Sequence, residues 1–155
     1  MKRFIAITQI SALFACSLIP ALMAANANAQ APASNREIMR AFVTTAYENK
    51  QPRAAYEAYV AADLIQHNPN VADGREAAIA DLTALFKDPS ARFDIKHVLV
   101  DGDLAVVHFK GTLSTGAPSA AVFELFRLKD GKIVEHWDAF QVVNPANAQN
   151  PHPYF

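Results

Sequence analysis

Glu124 sits inside the apolar run Val122-Phe123-Glu124-Leu125-Phe126. Such surroundings raise a carboxyl pKa toward neutrality, which suits a general acid or base. Downstream, His136 and Asp138 flank Trp137, so on a strand the two ionisable groups share a face. His108 stands between Val107 and Phe109 in an otherwise apolar stretch. Together these groups fit proton transfer on a carbonyl compound. Glu124 would take a proton alpha to the carbonyl, and His108 or His136 would polarise or reprotonate the oxygen. Each has a plainer reading: His108 as a core histidine bonded to a carboxylate, Glu124 as a buried acid paired with His136.

Two further groups bear on the same chemistry. His67 and Asn68 precede Pro69. They stand at the mouth or floor of a pocket, or form a turn in which Asn68 bonds its own backbone. His97 alternates with Phe93, Ile95 and Leu99 and reads as a wall residue; His152 lies in the tail. A metal site would draw on His136 and Asp138 with His67 or His108. The chain has neither a close histidine pair on a helix nor a cysteine cluster, so no metal is expected. Without a glycine-rich phosphate loop or a Gly-x-Ser-x-Gly elbow, neither nucleotide binding nor serine hydrolysis is expected, and no cofactor is expected.

The elements that must position these groups follow from period. Ser34 or Asn35 caps a helix whose apolar stripe is Ile38, Phe42, Val43 and Ala46. Pro52 ends it. A short helix from Arg53 to about Val60 is followed by an extended piece over Asp63–Pro69, and the strongest helix spans Arg75–Lys87. After Ser90 the pattern turns to period two. Strands are expected around 93–99, then over Leu104–Leu113, Ser119–Leu128 and Lys132–Val143, with an irregular tail over residues 145–155. Segregated helices and strands give an α+β fold: three N-terminal helices packed on a curved, mostly antiparallel sheet, an open cone with room for a small ligand.

The last hairpin decides which side chains meet. Leu128-Lys129-Asp130-Gly131-Lys132 suits a type I turn with Gly131 as a bulge. Leu128 then opposes Lys132, Glu124 opposes His136, and Val122 opposes Asp138. Glu124, His136 and Asp138 share a face with Val122, Phe126, Val134 and Phe140. A two-residue turn instead shifts the register by one and pairs Glu124 with the face of Trp137 and Gln141.

At the N-terminus, Met1-Lys2-Arg3, an apolar stretch to Met23 and Ala27-Asn28-Ala29 form a secretory signal pattern over residues 1–29. Leu13-Phe14-Ala15-Cys16 offers a competing lipidation reading. Cleavage after Ala29 leaves residues 30–155 as a single domain, periplasmic or secreted. That part carries 15 acids against the 12 bases left once Lys2 and Arg3 are removed from 14, a net charge of −3. An acidic chain excludes a nucleic-acid footprint. Cys16, the only cysteine, lies in the leader, which excludes a disulfide scaffold. No later stretch is apolar enough to span a bilayer, so no membrane association is expected after cleavage.

The segments Ile65-Gln66-His67-Asn68-Pro69, Asp73-Gly74-Arg75-Glu76 and Phe126 through Asp138 to Gln141 resemble a SnoaL-like protein. This is the polyketide-cyclase-like branch of the nuclear transport factor 2-like superfamily, in its predicted aldol-condensation-catalysing subgroup. The resemblance runs from about Asn35 to Phe155. It implies a cone-shaped α+β barrel, a homodimer through the sheet, and cofactor-free acid/base chemistry. The characterised cyclases use a carboxylate on the strand before the Asp-Gly-Lys turn and a histidine one strand earlier, matching Glu124 and His108. They carry Asp where this chain has Glu124, whose carboxylate reaches about one methylene further. The expected catalytic set is Glu124, His108, His136 and Asp138; His67, Asn68, Trp137, Gln141 and Phe126 are expected to contact substrate. The alternative reading is a non-catalytic binder of a small apolar or aromatic molecule, and a third is a closed pocket with the sheet as an association surface.

Overall fold

The computed structural model describes residues 33–155; the expected leader, residues 1–29, lies outside them. Helix α1 spans Asn35–Val43. The Ser34 hydroxyl accepts from the Glu37 N–H while the Glu37 carboxylate accepts from the Ser34 N–H, a reciprocal capping box. The helix runs on as a π-helical turn, Thr44–Glu48. Helix α2, Pro52–Tyr59, begins on a proline, which has no N–H to leave unsatisfied. Strand β1 is Val60–Gln66 and helix α3 is Arg75–Leu85. The remaining strands are β2 Arg92–Asp101, β3 Leu104–Thr112, β4 Ala120–Lys129 and β5 Lys132–Val142.

The sheet order is β1-β5-β4-β3-β2, with β1 parallel to β5 and every other pair antiparallel. The expected α+β class and helix–sheet arrangement hold. The helices cover one face of the curved sheet, and the core fills the space between. Met39, Phe42 and Val43 of α1 are buried there with Val107, Phe109, Phe126 and Ile133 of the sheet. Phe42 meets Tyr47, Tyr56 and Phe126 edge to face at 5.2–6.2 Å between ring centroids, the arrangement ring quadrupoles favour.

Three local details depart from the pattern reading. The β4–β5 hairpin closes on a two-residue turn, with Lys129 opposite Lys132 and positive φ at both Asp130 and Gly131. The bulge falls further along, at Val134, between the pairs Leu128–Ile133 and Arg127–Glu135. Glu124 therefore opposes Asp138, not His136, and Val122 opposes Phe140, not Asp138. The second departure is at Lys96. Ile95 pairs with Phe109 and His97 with His108, so Lys96 is an unpaired extra residue that reverses the strand's alternation. His97 consequently leaves the face of Phe93 and Ile95. The tail is irregular as expected except for one 3-10 turn, Pro145–Asn147, capped by the Asn144 side chain.

Candidate functional site

Period two along β4 and β5 brings Glu124, Phe126, His136 and Asp138 to the face covered by the helices. A cavity of about 160 Å³ opens there. Its polar wall is Glu124, His136, Asp138, Asp81, Tyr47, Tyr56, Gln66 and Asn68, and its apolar wall includes Leu82, Phe93 and Phe140. Parallel pairing of β1 with β5 sets Gln66 beside His136. The loop after β1 is tied back where Asp73 accepts from the Gln66 N–H at 2.8 Å, and this holds Asn68 over the opening.

The hydrogen bonds form two sets that meet at Glu124 and His136 without a bond between them. The Tyr47 hydroxyl donates to Glu124 Oε2 at 2.6 Å. His136 Nδ1 lies 2.9 Å from Gln66 Oε1, and Asn68 Nδ2 donates to Asp138 Oδ2 at 2.8 Å. His136 Nε2 is 3.7 Å from Glu124 Oε2 and has no hydrogen-bond partner. Among the described residues, Glu124 and His136 are the two buried polar or charged side chains besides the core tyrosines. Burial pushes the Glu124 carboxyl up to about 8, against a smaller opposing effect of the Tyr47 hydrogen bond and with help from the Asp138 charge. Burial also brings the His136 imidazole down to about 4, with Asp138 opposing and His67 reinforcing. Between those values both groups are neutral, so the 3.7 Å contact is not an ion pair near neutral pH. Two titratable groups with pKa values driven in opposite directions are a hallmark of acid/base sites.

The cavity thus gathers Glu124, His136, Asp138 and Asn68 from the expected set, with Phe126 behind His136, stacked on it at 4.9 Å. The other expected residues lie on the opposite face. His108 pairs with Phe123, stacks on its ring at 4.3 Å, and has Nδ1 3.3 Å from that of His97. Its imidazole is held below the ordinary value by burial, then by His97 and Lys96. Trp137 stacks on His67 at 4.2 Å, and His67 Nε2 lies 3.4 Å from Glu135. Gln141 accepts a hydrogen bond from the Tyr154 hydroxyl of the tail. No cluster of three or more metal-ligating side chains occurs among the described residues. A wider groove between α2 and α3, lined by Arg53, Glu57 and Glu76, holds exposed ion pairs and does not reach Glu124.

Tyr47 and Gln66 were not among the expected site residues. Tyr47 follows Phe42 by five positions, about 140° away on an α-helix. The π turn widens the spiral and returns Tyr47 to the core side. Gln66 sits within the Ile65–Pro69 motif, but its role depends on a parallel pairing between distant strands.

The comparisons with known proteins agree with this architecture. A family model described as a SnoaL-like domain matches residues 21–136. No curated protein matches. Among solved structures, an NTF2-like protein of unknown function from Mesorhizobium loti is 28% identical, with a TM-score of 0.59 over 68% of this chain and 88% of that one. TsrD from Streptomyces laurentii is 23% identical, with a TM-score of 0.55 over 68% and 86%. A putative SnoaL-like polyketide cyclase from Jannaschia is 23% identical, with a TM-score of 0.51 over 64% and 82%. The sheet, the covering helices and the family match lead to one conclusion: the chain belongs to the SnoaL-like domain family, with the NTF2-like fold.

Proposed function

We propose that this chain is an exported small-molecule-binding protein performing cofactor-independent acid/base chemistry of the aldol-cyclase, isomerase or lyase type on a carbonyl compound. The observation that carries the reading is the pairing in one cavity of a carboxyl raised to about 8 with an imidazole lowered to about 4, 3.7 Å apart. Near neutral pH such a pair offers a protonated acid and an unprotonated base side by side, the two forms that general acid/base chemistry needs. The description of one structural relative as a SnoaL-like polyketide cyclase and the resemblance to the aldol-condensation subgroup lend support. The test is proton–deuteron exchange at the alpha carbon of a panel of small ketones. Glu124→Gln is expected to slow exchange by about 100-fold or more, the usual worth of a general acid or base. Exchange at the parental rate would remove Glu124 from the chemistry; ligand binding with no exchange in either protein would favour a non-catalytic binder.

Two expectations belong to the same reading. Export predicts that the mature chain starts at Gln30, which the intact mass of the exported protein checks. The outer sheet face exposes Leu99 and Phe123, an apolar surface suited to a second copy of this chain. Sedimentation velocity of the mature protein is expected to give a dimer.

A further inference from the structure

Two backbone N–H groups fix a proton in the cavity. The Asn70 N–H donates to Asn68 Oδ1 at 2.8 Å, so the Asn68 amide nitrogen faces Asp138. The Asn68 N–H donates to Gln66 Oε1 at 3.1 Å, and that oxygen also faces His136 Nδ1. A carbonyl oxygen cannot donate, so the imidazole hydrogen resides on Nδ1. A neutral ring then has no hydrogen on Nε2, the buried atom without a partner, 3.7 Å from Glu124 Oε2. Two lone-pair atoms facing each other with no proton between them would repel. Glu124 in its acid form relieves that by carrying its hydrogen on Oε2 toward Nε2, while the same oxygen accepts from the Tyr47 hydroxyl.

We propose that His136 Nε2 is the proton acceptor and Glu124 the proton donor of this cavity, and that the pair recognises a neutral, ring-sized ligand carrying an enol or phenol hydroxyl. The proposal rests on the acid/base reading of the cavity and reverses the direction expected from sequence, in which Glu124 takes the proton. With a ketone bound, Nε2 takes the alpha hydrogen, the C–H electron pair becomes the enol double bond, and the Glu124 hydrogen passes to the carbonyl oxygen. The step leaves a carboxylate beside an imidazolium, which return both protons in the reverse direction. The enol so formed presents a hydroxyl to the same two atoms, and phenol is its stable mimic. Size agrees: the cavity holds about 160 Å³, and a dry apolar cavity of about 150 Å³ admits benzene. The Asp138 carboxylate in the wall disfavours anionic ligands.

Long-range proton–nitrogen NMR at pH 6 tests this on the unmodified protein. The expected spectrum has His136 protonated on Nδ1 and bare on Nε2. Phenol is expected to move the Nε2 resonance, with anisole, the same ring without a donor, binding at least about tenfold more weakly and benzoate more weakly still. A protonated Nε2, or anisole binding as tightly as phenol, overturns the proposal. Because these readouts do not depend on turnover, a bare Nε2 that binds phenol in a protein exchanging no ketone hydrogen sustains the assignment while the enzymatic reading falls. Ketone exchange with a protonated Nε2 does the reverse.

Discussion

Phe126→Ala is expected to lower the unfolding free energy by about 3–5 kcal/mol and to raise the His136 pKa in the same protein. Phe126 is 2% exposed, edge-on to Phe42 at 5.5 Å. It lies opposite His136 across the β4–β5 pairing, its ring stacked on the imidazole. Truncation leaves a cavity between α1 and the sheet that close-packed neighbours fill only in part. It also removes one wall of the dry environment that brings His136 down to about 4, so its pKa should climb toward 6.5. Urea unfolding gives the first quantity and an NMR titration of His136 the second. Phe123→Ala is the control: Phe123 is next but two in sequence yet on the outer face, against His108, and its loss should leave the His136 titration unmoved. If both variants shift His136 alike, burial by Phe126 is not what holds the imidazole neutral.

The contrast between those two phenylalanines shows how much of the site was legible in the sequence. Helices and strands follow from period because core-facing apolar residues repeat at the spacing of the element that buries them. The face shared by Glu124, His136 and Asp138 was legible for a less direct reason. The two-residue turn by itself would set Glu124 against Trp137, and the bulge at Val134 adds the one residue that restores the phase. Expecting a single bulge at Gly131 gives the right face with pairs displaced by two. The same device defeats the reading of His97, where the extra residue Lys96 flips the strand and no glycine marks the place. His108 was placed on a strand correctly, but its face depends on a pairing with β4 that puts Val107, not His108, opposite Glu124. Bulges and π turns are settled by tertiary packing, and Gln66 and Tyr47 enter the site through such long-range contacts.

The free-energy difference between Glu124→Gln and the parent should change steeply with pH, by about 5 kcal/mol between pH 4.5 and 8. The folded protein holds the Glu124 carboxyl at about 8, against about 4.5 when unfolded. Over that window the native state binds more protons than the unfolded chain, so stability falls as pH rises, by about 1.4 kcal/mol per unit for one group. His136 works in the opposite sense. Its folded value of about 4 lies below its ordinary 6.5, so between those values the unfolded chain binds the extra proton and stability rises with pH. In the parent the two slopes offset one another from pH 4.5 to 6.5, and only the Glu124 slope remains from 6.5 to 8, a fall of about 2 kcal/mol. Asp88, which its Ser90 hydrogen bond brings down to about 2, acts below this window. Glutamine keeps the neutral shape of the acid form and cannot ionise, so Glu124→Gln should gain stability up to pH 6.5 and then level off. Subtracting the two profiles cancels His136 and every other shared group. Urea unfolding of both proteins at pH 5, 6.5 and 8 measures that difference. Parallel profiles would mean that Glu124 ionises in the folded protein as readily as in the unfolded chain, and a carboxyl of that kind could not hold the proton that the cavity's chemistry requires.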